Sequence, residues 1–288
     1  MVGVYPDLYE LYPDCDFYHT RFCSMSQFCL LLSDSVVTKL IPVQKEIVTV
    51  KSKALCHEMT YRVYGTSGKP VVAFPCSQSH ENLWEDFGMV DSLAEYIENG
   101  TIQLYAMDSI DDDTFFRTDC NRDKALRCYE RYLDYIANEF LPQLVKTTGQ
   151  KVLLAGCSMG AYHAANIYFR WPELADSVIA LSGVYSPQWF LDLDEHMTAA
   201  ARANSPLDYL ADPIDEKHRE QYCSSKLIFC AGQGEGEADM LSDTNALAKV
   251  LEAQGIEAWI DVWGQDATHD WPWWKEQINY FLPEVLAA

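Results

Sequence analysis

"KVLLAGCSMGAYHAANIYF", Lys151–Phe169, is the stretch on which the reading of this chain turns. An apolar run climbs to Gly156, a Gly-x-Ser-x-Gly pattern occupies Gly156–Gly160, and an Ala-rich segment at helical spacing follows. A short apolar run of this kind suits a strand covered on both faces, and the spacing beyond it suits a helix packed back onto the sheet. Ser158 therefore stands at a strand-to-helix corner. Small residues are common at such corners for steric reasons alone. A tight, strained corner of this type also holds a serine hydroxyl exposed at a helix start, which is what a nucleophile requires. The rest of the chain decides between the two.

Outward from the corner the same unit repeats. Toward the C-terminus come an apolar strand "SVIALSG", an irregular helical stretch, the strand "LIFCAG", a helix around "DTNALAKVLEAQG", the strand "EAWIDVWG" and a last helix from Trp271. Toward the N-terminus lie "RDKALRCYERYLDYIANEFLPQLV" at helical spacing, the strand "IQLYAMD", an amphipathic helix over "ENLWEDFGMVDSLAEYIENG" that ends at Gly100, and the strand "VVAFP". Strands alternating with helices predict an α/β fold with a mostly parallel central sheet and helices on both faces. "EIVTVKS" and "MTYRVYG" alternate with a period of two and predict an antiparallel edge. Residues 43–288 read as one domain, with residues 185–224 as a small cap between strands. Residues 1–42, rich in Tyr and Cys but without a sustained period, read as an N-terminal extension and are left unassigned, with Met25 an alternative start.

Of 288 residues, 49% are hydrophobic, enough for a sizeable core, and no apolar run is long enough to suggest a membrane span. Lys and Arg number 21 against 43 Asp and Glu, a formal net charge of −22. Such a surface repels nucleic acid and anionic lipid, so neither is expected as a partner. None of the 10 cysteines pairs at CxxC spacing, which argues against a zinc or dithiol site, and several sit inside apolar runs as small hydrophobes. No cofactor and no metal is expected. The segment "FCLLLSDSVV" is too short and too interrupted for a secretory signal, and a reducing cytoplasm is the expected location.

Ligands of an open parallel sheet bind beyond the carboxyl ends of its strands, so the residues after each strand carry the chemistry. A serine hydroxyl needs a general base, and the base an orienting acid. Of seven histidines, His269 alone lies just past the last strand, in "WGQDATHDWPWW", where Asp270 can cap the helix that begins at Trp271. His163, five residues beyond Ser158 inside the helix, is expected to support the corner rather than take the proton. The acid is sought after the preceding strand, in "GQGEGEADM", where Glu235, Glu237 and Asp239 are all candidates. For the oxyanion of an acyl transfer, Met159 N–H follows the nucleophile, and Cys76 or Ser77 in "VVAFPCSQSHENLW" is placed to give a second donor. Tyr185, Trp189 and Phe190 suggest a small acyl or aryl pocket under the cap.

Taken together, "AFPC", "GCSMGAYHAAN", "GQGEGE" and "HDWPWW" resemble the "putative esterase" family of α/β-hydrolases, the group that includes esterase D-like enzymes and antigen 85 acyltransferases. The resemblance runs from about Gln44 to Phe281 and is closest to small bacterial esterases bearing GCSMG and HDWPWW. It implies an α/β-hydrolase fold, with the nucleophile at Ser158, the base at His269, the acid at Glu237 and an oxyanion donor at Cys76. Two positions depart from the pattern: Gly236 stands where the family has Trp, and Ala161 where it has a second Gly. The activity implied is hydrolysis of a small or medium carboxylic ester through an acyl-enzyme. An acyltransferase using the same residues, or a hydrolase fold kept for binding, are the alternatives.

Overall fold

The structure, a computed structural model, describes residues 43–118, 121–191 and 198–287. The N-terminal extension, with His19 and Met25, lies outside the described residues, as do Cys120 and His196. Among the described residues, eight strands form one sheet: β1 (Lys45–Lys51), β2 (Glu58–Tyr64), β3 (Lys69–Phe74), β4 (Ile102–Met107), β5 (Val152–Cys157), β6 (Ala175–Leu181), β7 (Lys226–Ala231) and β8 (Trp259–Val262). Their order across the sheet is β1-β2-β4-β3-β5-β6-β7-β8. β1 pairs antiparallel with β2, and β2 with β4; every other pair is parallel.

The order reverses direction beside β3. From β3 the chain steps to β4 on one side, then returns to β5 on the other. Loops leaving β3 and β5 consequently diverge at the carboxyl edge, and the crevice between them is where an open α/β sheet binds ligands. β5 is buried at all six residues. Its side chains alternate between two cores: Val152 and Leu154 on one face, Leu153, Ala155 and Cys157 on the other. That period of two inside an unbroken apolar run is what a strand with helices on both faces requires.

One layer contains α4 (Arg122–Asp134), α5 (Leu141–Thr148), α6 (Met159–Arg170) and α11 (Ala238–Ala253). The opposite layer contains α1 (Leu83–Asp86), α2 (Met89–Ser92), α3 (Ala94–Glu98) and α12 (Trp271–Leu286). The single helix expected over 81–100 is thus three short ones. Gly88 at φ 73° turns left-handed between the first two, which a continuous helix cannot accommodate. The long helix expected over 122–145 runs on through a wide turn, Tyr135–Phe140, into α5. Pro142 is the second residue of α5; it lacks a donor and its ring crowds the carbonyl four residues back, so the chain widens there instead of breaking.

Residues 198–224, the described remainder of the expected cap, form α8 (Ala199–Arg202), α9 (Pro206–Tyr209) and α10 (Glu216–Cys223), after α7 (Gln188–Leu191). They lie beside α6: Tyr162 Oη donates to Asn204 O at 2.8 Å, Tyr209 Oη to Asn166 Oδ1 at 3.1 Å, and Tyr222 Oη to Phe169 O. Among the described residues, no helix is long and apolar enough to cross a membrane.

Candidate active site

Ser158 stands between β5 and α6 with φ 56° and ψ −124°, a left-handed backbone that costs a non-glycine residue about 1–3 kcal/mol. Its neighbours over-determine it. A Cβ on Gly156 would sit 2.1 Å from the Gly160 carbonyl carbon, and one on Gly160 would sit 2.4 Å from Phe74 O. The turn therefore folds onto itself and onto the end of β3. The Ser158 N–H donates to Leu181 O at 2.8 Å, which fastens the corner to β6.

Two loops meet this serine. The loop after β8 brings His269, whose Nε2 lies 3.0 Å from Ser158 Oγ. The loop after β7 brings Glu237, whose Oε1 lies 2.8 Å from His269 Nδ1. Glu237 is wholly buried, and its Oε2 accepts the Gly232 N–H at 2.8 Å, so both carboxylate oxygens are occupied. For Nε2 to accept the serine proton, Nδ1 must carry the ring proton and donate it to Glu237. The imidazole is held from below as well. Its backbone N–H donates to Glu235 O at 3.0 Å, and its ring stands at 88° to the Trp274 ring, 4.9 Å between centroids. Trp274 Nε1 in turn donates to Ser182 Oγ at 2.9 Å, a buried serine at φ 51° after β6. Asp270 caps α12 by accepting the Trp271 N–H at 2.7 Å.

The other acid candidates are directed elsewhere. Asp239 Oδ2 accepts from Trp189 Nε1 at 3.0 Å, and Glu235 is exposed. Gly236, where the family pattern has Trp, has φ 82°, and a Cβ there would sit 2.9 Å from His269 Cβ. This acid loop approaches the histidine too closely for any side chain at 236. Ala161 is fully buried one position beyond Gly160.

Met159 begins α6, so its N–H is among the first-turn amides without a carbonyl acceptor inside the helix. Cys76 lies two residues past β3 on the loop against which Gly160 packs. Burial, with the nearby Asp111 carboxylate adding to it, pushes the Cys76 thiol up to about 12, so this side chain stays neutral. The Ser77 carbonyl accepts from Ser79 Oγ at 3.1 Å within the same loop. Of the pocket candidates, Tyr185 belongs to the core, edge-on to Phe229, whereas Trp189 is 50% exposed and Phe190 packs on Phe115 and Tyr162.

His163 is fully buried one helical turn below Met159. Its Nδ1 lies 2.9 Å from Tyr129 Oη and its Nε2 3.3 Å from Asp111 Oδ1. Sequence reasoning did not single out Asp111, because three consecutive aspartates at 111–113 look alike until one of them is seen to be buried. Ser182 and Trp274 were likewise missed as a pair, since 92 residues separate them. Among the described residues, no group of three or more His, Cys, Asp or Glu side chains is arranged to hold a metal ion.

Solved structures with the same fold include a ferulic acid esterase at 20% identity and TM-score 0.65, covering 85% of this chain and 99% of that one. The S-formylglutathione hydrolase FrmB of Staphylococcus aureus matches at 15% identity and TM-score 0.60, over 85% of this chain and 97% of its own. Mycobacterium tuberculosis MPT51 (FbpC1) matches at 13% identity and TM-score 0.63, over 85% and 98%. At these identities what is shared is the α/β-hydrolase fold. A search of curated proteins finds no match. The family model described as "Putative esterase" matches residues 52–285, most of the chain, and the chain belongs to that family.

Proposed function

We propose that the protein is a serine carboxylic-ester hydrolase in which Ser158 is the nucleophile, His269 the general base and Glu237 the orienting acid. The observation that carries this reading is the continuous hydrogen-bonded chain from Ser158 Oγ through His269 to the buried Glu237, at 3.0 and 2.8 Å. Ser158 Oγ attacks the ester carbonyl carbon as its proton passes to His269 Nε2. The negative charge that develops on the carbonyl oxygen is met by the N–H groups of Met159 and Cys76, which flank the crevice where the start of α6 packs on the end of β3. Collapse of the tetrahedral intermediate breaks the bond to the alkoxy oxygen, and His269 gives its proton to the departing alcohol. Water then attacks the acyl-serine while His269 takes its proton, the acid leaves, and the proton returns to Ser158 Oγ. Glu237 keeps the imidazole in the required tautomer and stabilises the imidazolium in both halves.

Relatives by fold that are named for ferulic acid esters and S-formylglutathione define the first substrate panel: p-nitrophenyl esters of graded chain length, methyl ferulate and S-formylglutathione. Hydrolysis is expected within this panel, with a fluorophosphonate probe attached to Ser158. Folded protein that the probe does not label would overturn the enzyme reading. Transfer of the acyl group to added alcohol in preference to water would replace the hydrolase by an acyltransferase.

A further inference from the structure

The two proposed oxyanion donors belong to different pieces of chain, and a buried carboxylate joins those pieces. Asp111, on the loop after β4, is 2% exposed. Its Oδ2 accepts the N–H of Gln78 at 3.2 Å, and its Oδ1 faces His163 Nε2 at 3.3 Å. Gln78 lies two residues after Cys76 and has φ 53°, a left-handed backbone that a non-glycine residue holds only under constraint. His163 lies four residues after Met159, one turn along the same helix. One carboxylate thereby ties the Cys76 loop to the helix of Met159.

We propose that Asp111 and His163 are positioning residues for the oxyanion site, holding the Cys76 and Met159 N–H groups at a fixed separation; this rests on the esterase reading above. The hydrogen bonds are directionally consistent around a neutral imidazole. Asn166 Nδ2 faces Tyr129 Oη at 3.5 Å, and Tyr129 Oη–H donates to His163 Nδ1 at 2.9 Å. His163 Nε2–H and Gln78 N–H then both donate to Asp111. The Asp111 loop is anchored in its turn: Ser109 Oγ donates to Ser79 O at 2.8 Å and Tyr132 Oη to Asp108 O at 2.8 Å. A carboxylate and an imidazole in the interior are costly unless each polar atom is bonded, so an apolar pair would fill this volume more cheaply. An apolar pair would also leave the Gln78 N–H without an acceptor and the left-handed turn without its constraint. Oxyanion donors act within a few tenths of an ångström of their ideal distance, and a misplacement of about 1 Å costs roughly 10²-fold in rate.

The test is p-nitrophenyl acetate turnover by the full chain, with thermal unfolding recorded for each variant. Asp111→Ala is expected to lower kcat by about 10²-fold with KM within about twofold, because ground-state binding does not use the oxyanion donors. Asp111→Asn keeps an oxygen to accept the Gln78 N–H and is expected to recover about tenfold of that loss. Affinity for a phenylboronic acid, which forms a tetrahedral adduct on the serine, should fall in parallel with kcat. Tyr129→Phe, which preserves the packed ring, should lower kcat about three- to tenfold and serves if Asp111→Ala does not fold. Wild-type kcat in folded Asp111→Ala, or in Tyr129→Phe, overturns the proposal. So does an equal loss in Asp111→Asn and Asp111→Ala that follows thermal stability alone. An inactive wild type overturns the esterase reading itself, whereas an active wild type with unaffected variants overturns only the positioning role.

Discussion

At the residue scale, each member of the Ser158 chain can be separated from its neighbours by a substitution that changes one bond. His269→Ala removes the imidazole proposed to take the serine proton and should lower kcat by roughly 10⁴–10⁶-fold in a protein that still folds, measured on a p-nitrophenyl ester. Activity within tenfold of wild type would mean that His269 is not the base. Glu237→Gln keeps an oxygen for the Gly232 N–H but turns an amide donor toward His269 Nδ1, forcing the wrong tautomer. A fall of about 10²–10⁴-fold is expected, against little change for Asp239→Asn, whose carboxylate faces Trp189. The opposite ranking would transfer the role to Asp239. Cys76 gives a third check. With burial first and the Asp111 charge second pushing its thiol up to about 12, only about 10⁻⁴ of it is thiolate at pH 8. Iodoacetamide should therefore alkylate the exposed Cys56 and Cys223 of the native protein and spare Cys76, read by peptide mass spectrometry. Ser158 and His269 stand out in the sequence because each follows a strand that the hydrophobic pattern defines, whereas that pattern narrows the acid only to Glu235, Glu237 and Asp239, and it is the family resemblance that points to Glu237. Asp111 could not, because its burial depends on loop contacts that leave no period in the sequence.

At the element scale, the parallel strands were the most readable part of the chain, and the short helices the least. β5 is a run of apolar residues between a polar start and a Gly-Ser corner, and its short length and those flanking residues mark it as a buried strand. The segment 81–100 carries helical spacing too, yet its register is interrupted at Gly88, whose left-handed backbone no amphipathic pattern reveals. The helix that follows His269 was legible for a specific reason: Asp270 and Pro272 are start signals whatever the packing. Since Asp270 lies next to His269, this cap sets where the loop that carries His269 ends. Asp270→Ala deletes the acceptor of the Trp271 N–H and should cost about 1 kcal/mol of stability. It should also lower kcat modestly, because the first turn of α12 carries Trp274 against the imidazole. Urea titration and kcat measured on one sample check both, and unchanged stability would show that the cap is dispensable.

At the scale of the whole molecule, the dominant electrostatic fact is the formal charge of −22, from 21 basic and 43 acidic residues. Some of the basic residues are committed to pairs, such as Lys69 with Asp176 at 2.7 Å and Arg170 with Glu130 at 2.9 Å. Even if every Lys and Arg were paired, about as many carboxylates would be left facing one another across the surface. Their mutual repulsion opposes the compact state, since unfolding spreads the charges apart. Salt screens exposed charges beyond a Debye length, about 30 Å at 0.01 M and about 3 Å at 1 M. It weakens surface pairs as well, but exposed pairs contribute only about 0–1 kcal/mol each, whereas the excess of like charge acts over the whole molecule. Raising NaCl from 10 mM to 0.5 M at pH 7 should therefore raise the unfolding temperature. Scanning calorimetry at several salt concentrations measures it, and a fall with added salt would show that the paired charges outweigh the unpaired ones.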